Sequence, residues 1–563
     1  MSRLGNIWKN PDGRVITLLA LWLAVNLLQS GFTELADDEA YYVMFAEKLE
    51  WGYFDHPPMT ALLIWLGTHI FGGEFGVRFF FTLLQPAYLW ILWKLVRPER
   101  ASAEDGSLFA VIAAATLMLQ LYGFLAVPDA PLMFSASLYL LAFDRFCKSG
   151  RYSWAFLGFA MALMAYSKYH GALLVLFSIC VNPRLLRRPH LYLAGLLAAV
   201  LIIPHLFWQY NHDWASFAYH LSGRNATFEF SYLTDYIANM LVVFNPLLVP
   251  VFCQAWHESE PHDELHRTLR WLPVLFISFF MLSSCRGYVQ PQWVIVASFG
   301  ILYVMFCYVR SHPRTRRYVM WTGLITIVLV MILRIEMMFN PLDIRYEIFD
   351  NETSYPALAR AADGRPVIFN GHYAVAAKYR YYAGAEAFCE PKINYRTHQW
   401  QFRDDDSRFE GREVLVMCDT GEMPSAADRD SIVLPNGEVY HWFIDSGYHP
   451  VRLVNVKFSD IPKTVRSGDV LDMELVLENP YSREIAIGDS LSLVMVWKYG
   501  RFDCMEYDMK CGVILPAYGT AAISTSFELP TELSGRKYDV GFALERTGYT
   551  HWFNGKALGV EVK

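Results

Sequence analysis

Residues 15–39 read VITLLALWLAVNLLQSGFTELADDE, an apolar run that ends in three adjacent carboxylates. About 20 apolar residues in a helix are enough to cross a bilayer core about 30 Å thick. Charge inside a bilayer is costly, so Asp37, Asp38 and Glu39 are expected at the membrane surface, where a polar ligand can reach them. The simpler interpretation is that they only mark a helix end.

The apolar pattern recurs, and 54% of the 563 residues are hydrophobic while only 18% are charged. This balance predicts a polytopic membrane protein. The N-terminus carries basic residues and no small-residue cleavage site, which predicts an uncleaved anchor. We predict short interfacial helices at residues 41–51 and 58–72. About eleven spans are predicted, the last ending near Phe339, with starts near Val15, Gly76, Ser107, Pro131, Ser153, His170, Leu191, Leu233, Thr268, Pro291 and Tyr318.

Basic loops predict the orientation, because Lys and Arg are retained on the cytoplasmic side. With the N-terminus inside, residues 97–100, 148–151, 184–188 and 310–317 are all cytoplasmic loops. An odd number of spans then places everything after Asn340 outside, which in a bacterial cell is the periplasm.

The outer face collects polar residues from separate helices. Each has a simpler explanation when taken alone, such as a helix cap for Asp129 or interfacial snorkelling for Lys168. Together they predict one polar cavity, formed by Asp37, Asp38, Glu39, Asp55, His56, Asp129, Lys168, Tyr169, His170, His212, Asp213, Arg286 and Trp293.

Four segments in this order resemble a known family. They are DDEAYYVMFAEKLEWGYFDHPPMTALL at 37–63, PDAPLMF at 128–134, SKYHGALLVL at 167–176 and PHLFWQYNHDWASF at 204–217. They resemble the polyprenyl-phosphate-dependent glycosyltransferases of the GT-C superfold. The most similar group is the bacterial relatives of protein O-mannosyltransferases, which include the lipid A aminoarabinose transferase.

The resemblance implies a GT-C fold over residues 1–340, with about 11–13 helices crossing or lying on the membrane. It also implies attack of an acceptor hydroxyl or phosphate on the anomeric carbon of a polyprenyl-phosphate-linked sugar, with inversion. Asp38 is favoured as the catalytic base, and Glu39 and Asp37 remain alternative candidates for it. Asp129 resembles the second acid that the fold carries in an outer loop. The implied donor-phosphate residues are Lys168, Arg286, His170 and His56, and the implied substrate-binding residues are Tyr41, Tyr42, Asp55, Tyr169, His212, Asp213 and Trp293.

The expected partners follow from the same resemblance. The donor is a polyprenyl-phosphate sugar within the membrane lipids, which agrees with the lack of a Gly-rich phosphate loop for a nucleotide. The acceptor is a glycolipid such as lipid A, a glycan or a protein, and no nucleic acid is involved. No obligatory metal is expected, although Asp38, Asp129, His56 and His212 leave a divalent cation possible. The predicted location is the bacterial inner membrane, with the active site in the periplasm.

Residues 341–563 have fewer apolar runs and are predicted to be extracytoplasmic. Short buried strands at 366–369 and 413–417, with a helix at 373–382, predict a small α/β domain over 341–450. Alternating strands such as residues 470–477 predict an immunoglobulin-like sandwich over 451–563. His372 stands where the family often has Arg. Disulfides are possible among Cys389, Cys418, Cys504 and Cys511, and Cys504 with Cys511 would close a hairpin.

Two other classes of function remain open. A polytopic transporter or lipid flippase would place ionisable residues near the bilayer midplane and show internal repeats, and neither feature is clear in the sequence. A non-catalytic assembly protein of envelope polysaccharide synthesis would keep the fold without the activity.

The predicted topology can be tested by single-cysteine labelling of intact spheroplasts, in a background without the nine native cysteines. An impermeant thiol reagent should modify positions beside Asp213 and in residues 341–563, because these lie opposite the basic loops. A cysteine beside Arg187 is the matched control and should react only after lysis. The reverse pattern would place the motifs in the cytoplasm.

Overall fold

The computed structural model describes residues 7–221, 228–418, 429–459, 461–500, 503–533 and 535–563. The chain divides into two compact units, Met1–Phe349 and Asp350–Lys563. Within these described ranges, the first unit is helical, and the second combines helices with four sheets.

The first half of unit 1 runs from the first apolar helix to the end of the SKYHGALLVL motif. Its helices are α1 Pro11–Phe32, α2 Asp37–Ala46, α3 Met59–Thr68, α4 Gly73–Val96, α5 Ala103–Ala115, α6 Leu117–Leu121, α7 Asp129–Cys147, α8 Ser153–Ser167 and α9 Gly171–Val181. The second half contains α10 Pro189–Leu201, α11 Ile203–Asn211, α12 Ala215–Leu221, α13 Phe230–Val243, α14 Val249–Glu258, α15 Glu264–Ser284, α16 Ala297–Ser311 and α17 Pro313–Phe339.

Every predicted span falls on a helix, but most of these helices are short. Among the described residues, only α1, α4, α15 and α17 are long and apolar enough to cross a membrane. The α10–α11 pair, bent by 49°, becomes a fifth if it is one broken span. Eleven crossings therefore remain a prediction. The two predicted interfacial segments contain the short helices α2 and α3, and α2 already begins at Asp37.

The surface of the long helices supports the membrane interpretation. On α17, the side chains of Leu324, Ile325, Leu329, Ile332 and Leu333 are each 50–61% exposed. A continuous aliphatic face of this kind is unfavourable in water, whereas it is compatible with lipid tails. Because helices satisfy their own backbone hydrogen bonds, they can present such a face to hydrocarbon. The predicted class, a helical membrane protein, is confirmed.

Unit 2 begins with a small α/β fold. Its sheet has the order β2-β1-β3-β5-β4, in which β1, β2 and β3 are parallel and β5 and β4 are antiparallel additions. All residues of β1, β2 and β3 are buried, as expected for the parallel part of a sheet. The elements are α18 Asn351–Ala362, β1 Val367–Asn370, α19 Tyr373–Ala383, β2 Ala387–Glu390, β3 Val414–Met417, β4 Arg429–Val433 and β5 Val439–Asp445.

The rest of unit 2 is rich in strands. A five-stranded sheet of order β11-β10-β14-β15-β7 and a three-stranded sheet of order β13-β8-β6 share one hydrophobic core, and β12 pairs with β9. Alternate residues of β8 are buried, which matches the predicted period of two. The strands are β6 Asn455–Phe458, β7 Thr464–Val465, β8 Val470–Glu478, β9 Ile485–Ile487, β10 Leu491–Tyr499, β11 Asp503–Asp508, β12 Val513–Leu515, β13 Thr520–Glu528, β14 Arg536–Arg546 and β15 Leu558–Val562.

The predicted strands at 366–369 and 413–417 and the predicted helix at 373–382 coincide with β1, β3 and α19. The strand-rich C-terminal region is also confirmed, whereas its assignment as immunoglobulin-like stays a prediction. Cys504 and Cys511 are both free thiols in the structure, so they do not close the hairpin suggested for them.

A buried polar cluster lies where the α/β sheet meets the strand-rich region of unit 2. Arg452 donates to both carboxylate oxygens of Asp406 at 2.9 and 2.6 Å, and the Tyr448 hydroxyl donates to Glu390 at 2.8 Å. Burial and the negative charge of Asp406 raise the pKa of Glu390 to about 7, which Tyr448, Arg546 and Arg452 only partly oppose.

This raised pKa predicts a specific pH dependence. A glutamate ionises near pH 4.5 in the unfolded chain, whereas folded Glu390 keeps its proton up to about pH 7. Between these values the folded state binds more protons, so the free energy of unfolding falls as the pH rises. Glu390→Gln cannot ionise and should become more stable than wild type as the pH rises through this window. Thermal unfolding of the detergent-solubilised chain measures this, with the exposed Glu528→Gln as control. Parallel profiles of wild type and Glu390→Gln would contradict it.

Candidate active site

The three acids of the opening motif form the first turn of α2. Negative charge is favourable there, because the helix dipole and unsatisfied N–H groups face it. Asp37 and Asp38 are half-buried, whereas Glu39 is fully buried. Glu39 also caps its own helix, since its carboxylate accepts a hydrogen bond from the Ala36 N–H at 3.1 Å.

Glu39 forms a fully buried ion pair with Arg78 of α4. The Arg78 Nε and Nη2 atoms donate to the two carboxylate oxygens at 2.7 and 2.5 Å, and both side chains are inaccessible to solvent. The Ala126 N–H donates to the same carboxylate at 2.8 Å. Arg78 also donates to the carbonyl oxygens of Ser30, Thr33 and Glu34 at the end of α1 and just after it. Glu39 therefore connects α2 to α1, α4 and the segment before Asp129.

Further buried polar groups hold residues 116–128, which we call the 116–128 segment. The Asn26 amide donates to Gln85 at 2.6 Å and to the Gly123 carbonyl at 3.0 Å. A side chain at Gly123 would collide with the Gln85 amide, so glycine is needed for this approach. Arg334 of α17 donates to Gln29 at 2.5 Å and to the Gln120 carbonyl at 2.6 Å. Three long apolar helices, α1, α4 and α17, thus each place buried polar side chains against this one segment.

Asp129, which begins α7, forms a second buried ion pair. The Lys168 ammonium donates to both oxygens of Asp129 at 2.8 Å, and the two residues are 2% and 5% exposed. The resemblance implies separate roles for Asp129 and Lys168, whereas the structure pairs them. The Lys168 charge is therefore largely neutralised by Asp129, so Lys168 does not act as an isolated cation toward a phosphate.

Tyr122, in the 116–128 segment, links the two acidic motifs. The negative charges of Asp129 and Asp38 both act on its phenol. Both acids thus lie within electrostatic reach of one phenol. No sequence motif marks Tyr122.

Histidines and aromatic rings from four segments meet in one cluster. Ring centroids are 5.5 Å apart for Tyr42 and His56, 5.5 Å for Tyr169 and His220, and 5.0 Å for His170 and Trp293. His220 joins the groups, because its ring centroid lies 6.3 Å from that of His56 and 6.5 Å from that of His170. The structure therefore brings together Trp293 and rings from the 37–63 and 167–176 segments, and it adds His220, which had no motif to mark it.

Helices α11 and α12 attach the Asp55 loop to Tyr169. His205 lies within hydrogen-bonding distance of the Trp51 carbonyl at 2.7 Å and of the Tyr169 hydroxyl at 3.1 Å. Gln209 donates to the same hydroxyl at 3.1 Å, and the Asp55 carbonyl lies 2.9 Å from the His220 Nε2 atom. His205 and Gln209 lie inside the quoted 204–217 motif, but the residues predicted from that motif are His212 and Asp213.

The remaining predicted residues have other surroundings. The His212 ring stacks on Trp208 with a centroid distance of 4.0 Å, and Asp213 sits in a turn with φ of 51°. Tyr41 is fully buried against Phe45. Arg286 is exposed just after α15, and Asp55 is buried.

No potential metal-binding group occurs at this site within the described residues. Among all the described residues, one group has ligand atoms within 4.8 Å of one another. It consists of Glu506, Glu545 and His551 and lies in unit 2. Glu39 and Asp129 are instead neutralised by Arg78 and Lys168.

Known proteins are similar to this chain in sequence and in fold. The model of the family described as dolichyl-phosphate-mannose-protein mannosyltransferase matches residues 55–208. A lipid A galacturonosyltransferase, RgtD, from Rhizobium johnstonii is 23% identical over 312 residues, which cover 51% of this chain. The chain spans 63% of the length of that relative.

The fold is also found among solved structures. The apo structure of ArnT from Cupriavidus metallidurans matches with a TM-score of 0.59 at 13% identity, covering 77% of this chain and 98% of ArnT. The structure of the same ArnT bound to undecaprenyl phosphate matches with a TM-score of 0.57, at the same identity and coverage.

The Glu39–Arg78 pair predicts a large loss of stability when one partner is removed. Arg78→Ala leaves a buried carboxylate without its countercharge, which should cost about 3–5 kcal/mol. The double variant Glu39→Leu with Arg78→Met should lose much less, since no charge is left buried. Thermal unfolding in detergent measures both. The control is Lys148→Ala in the exposed Lys148–Asp144 pair, expected to cost below about 1 kcal/mol. Equal effects of Arg78→Ala and Lys148→Ala would contradict the assignment.

Proposed function

Because the chain is related to the polyprenyl-phosphate-dependent glycosyltransferases of the GT-C superfold, we propose that it is a membrane glycosyltransferase. It moves a sugar from a polyprenyl phosphate to an acceptor hydroxyl or phosphate on the periplasmic face of a bacterial inner membrane. The observation that carries the proposal is the buried Asp129–Lys168 pair, in which Lys168 directly precedes Tyr169 and His170 of the histidine and aromatic cluster.

Asp38 is the proposed base. Glu39 is enclosed in its ion pair with Arg78, where protonation would break that pair, whereas Asp38 keeps part of its surface accessible. A carboxylate at hydrogen-bonding distance takes the acceptor proton while the acceptor oxygen bonds to the anomeric carbon. The bond from that carbon to the phosphate oxygen breaks, its electron pair stays with the polyprenyl phosphate, and attack from the opposite face inverts the centre.

The Asp129–Lys168 pair is proposed to position the acceptor side of the site. Its buried charges keep a fixed orientation, and a fixed dipole stabilises developing charge without the cost of reorganisation. The leaving phosphate needs further cationic or hydrogen-bonding partners. Exposed Arg286 and the imidazoles of His56 and His170 are the proposed ones, with Lys168 contributing through its pair.

The aromatic members of the cluster are proposed to hold the sugar. Tyr42, Tyr169 and Trp293 offer rings beside the imidazoles, and Asp55 lies on the loop attached to Tyr169. Tyr41, His212 and Asp213 are less suited to direct contact, because Tyr41 is a packed core residue and His212 is stacked on Trp208.

A lipid A type of glycolipid is the proposed acceptor, supported by the RgtD relative, which is named a lipid A galacturonosyltransferase. The donor proposal is supported by the ArnT structure that contains undecaprenyl phosphate. We also propose that no metal is obligatory, since Arg78 and Lys168 already neutralise two of the acids. The strand-rich region is proposed to be an immunoglobulin-like stabilising module.

Asp38→Asn tests the proposal. The amide keeps the shape but cannot accept the proton, so transfer from a polyprenyl-phosphate sugar to lipid A should fall by about two orders of magnitude or more. The unfolding temperature should not change, and EDTA should leave wild-type transfer intact.

Asp37→Asn is the matched control on the neighbouring carboxylate and should retain most activity. If Asp38→Asn is active and Asp37→Asn is not, the base is Asp37. If wild type transfers no sugar to any envelope acceptor, the non-catalytic alternative is correct.

A further inference from the structure

A cavity of about 330 Å³ lies within unit 2, at the carboxyl ends of two parallel strands. Asn370 ends β1 and Met417 ends β3, and both line it. From β1 the chain passes through α19 to β2 on one side, while β3 pairs with the other side of β1. In open α/β sheets, ligands bind at such a point, where the connections leave in opposite directions.

The cavity lining carries donors suited to an anion. Lys392, His372 and His441 come from three different segments and line the same space. Helix α19 begins at Tyr373, directly after His372, and its first turn has no side-chain cap. The positive end of the helix dipole therefore faces the same edge of the sheet, which adds to the attraction for negative charge.

A glycine turn supports this arrangement. Gly371 has a φ of 79°, a conformation that other residues rarely adopt. A Cβ atom there would lie 3.1 Å from the Cβ and Cδ atoms of Lys392, tighter than ordinary packing. The turn between β1 and α19 thus leaves room for the Lys392 side chain beside the cavity.

One carboxylate, Glu438, also lines the cavity, and its position fits a sugar. Its Oε2 atom accepts hydrogen bonds from the Asn436 amide at 3.1 Å and from the Tyr440 hydroxyl at 3.2 Å. A carboxylate accepts hydrogen bonds from hydroxyl groups, and the Tyr440 ring offers an apolar face. The volume lies near the lower end of the range of about 300–1,000 Å³ for small-molecule sites, larger than an inorganic anion needs.

We propose that this cavity binds a saccharide through an anionic group, a phosphate or carboxylate on the sugar ring. Lys392 and His372 hold the anion at the start of α19, and Glu438 accepts hydrogen bonds from the sugar hydroxyls. The site lies wholly within unit 2 and does not depend on the transfer reaction proposed above.

Isothermal titration calorimetry of the full chain in detergent tests the proposal with four probes: glucose 1-phosphate, galacturonate, glucose and inorganic phosphate. Glucose 1-phosphate, galacturonate or both should bind, and their difference identifies the anion. Lys392→Gln should weaken binding about tenfold or more, because it removes a charge-assisted contact. Val439→Trp should abolish binding by filling the cavity, at a lining position that is 52% exposed and so tolerant of the change.

Lys537→Gln makes the same charge change at an exposed position of β14 and should bind like wild type. Unfolding temperatures of all variants exclude misfolding as the cause. Several results would overturn the proposal: no binding of either anionic sugar, equal binding of glucose, equal binding of inorganic phosphate, or binding that neither Lys392→Gln nor Val439→Trp changes. The last result would place the ligand elsewhere in the chain.

Discussion

The ion pair between Glu39 and Arg78 is the constraint on which the helical unit depends. Two charges buried without solvent access are tolerated only when all their hydrogen-bonding capacity is used. Here backbone groups make the remaining hydrogen bonds. Arg78 donates to carbonyl groups at the end of α1, and the Ala126 N–H donates to Glu39. The position of α2 is therefore tied to α1, α4 and the 116–128 segment at once, and a shift of any one would leave a buried charge unsatisfied.

Pairing with a buried cation also distinguishes the acids of the candidate site from one another. Glu39 and Asp129 are held by cations inside the protein, and these ion pairs fix the positions of the segments that carry them. Asp38 is one residue away from Glu39 on the helix and points to a different side, because successive residues on a helix are about 100° apart. One rigid carboxylate thus determines where its more accessible neighbour stands.

The sequence predicted features that arise from local pattern. Hydropathy located a helix at each span, and the period of two located β8, because both follow from burial of a repeating face. It did not predict the ion pairs: Arg78 lies 39 residues from Glu39, as Lys168 does from Asp129, and no spacing rule joins residues that meet only through packing. Arg78 was passed over because it lies inside an apolar run. His220 stands outside the quoted motifs and has no motif of its own, whereas His212 stands beside an acid.

Arg334 has a consequence for the order of synthesis. It reaches back from the last helix of unit 1 to Gln29 and Gln120, partners that are 305 and 214 residues earlier in the chain. Contacts this distant in sequence form late. The hydrogen bonds that hold the 116–128 segment, which leads into Asp129, are therefore complete only after α17 has left the ribosome and joined the other helices. A ribosome that stalls before that helix releases a protein whose first motifs are all present in sequence but lack their final support.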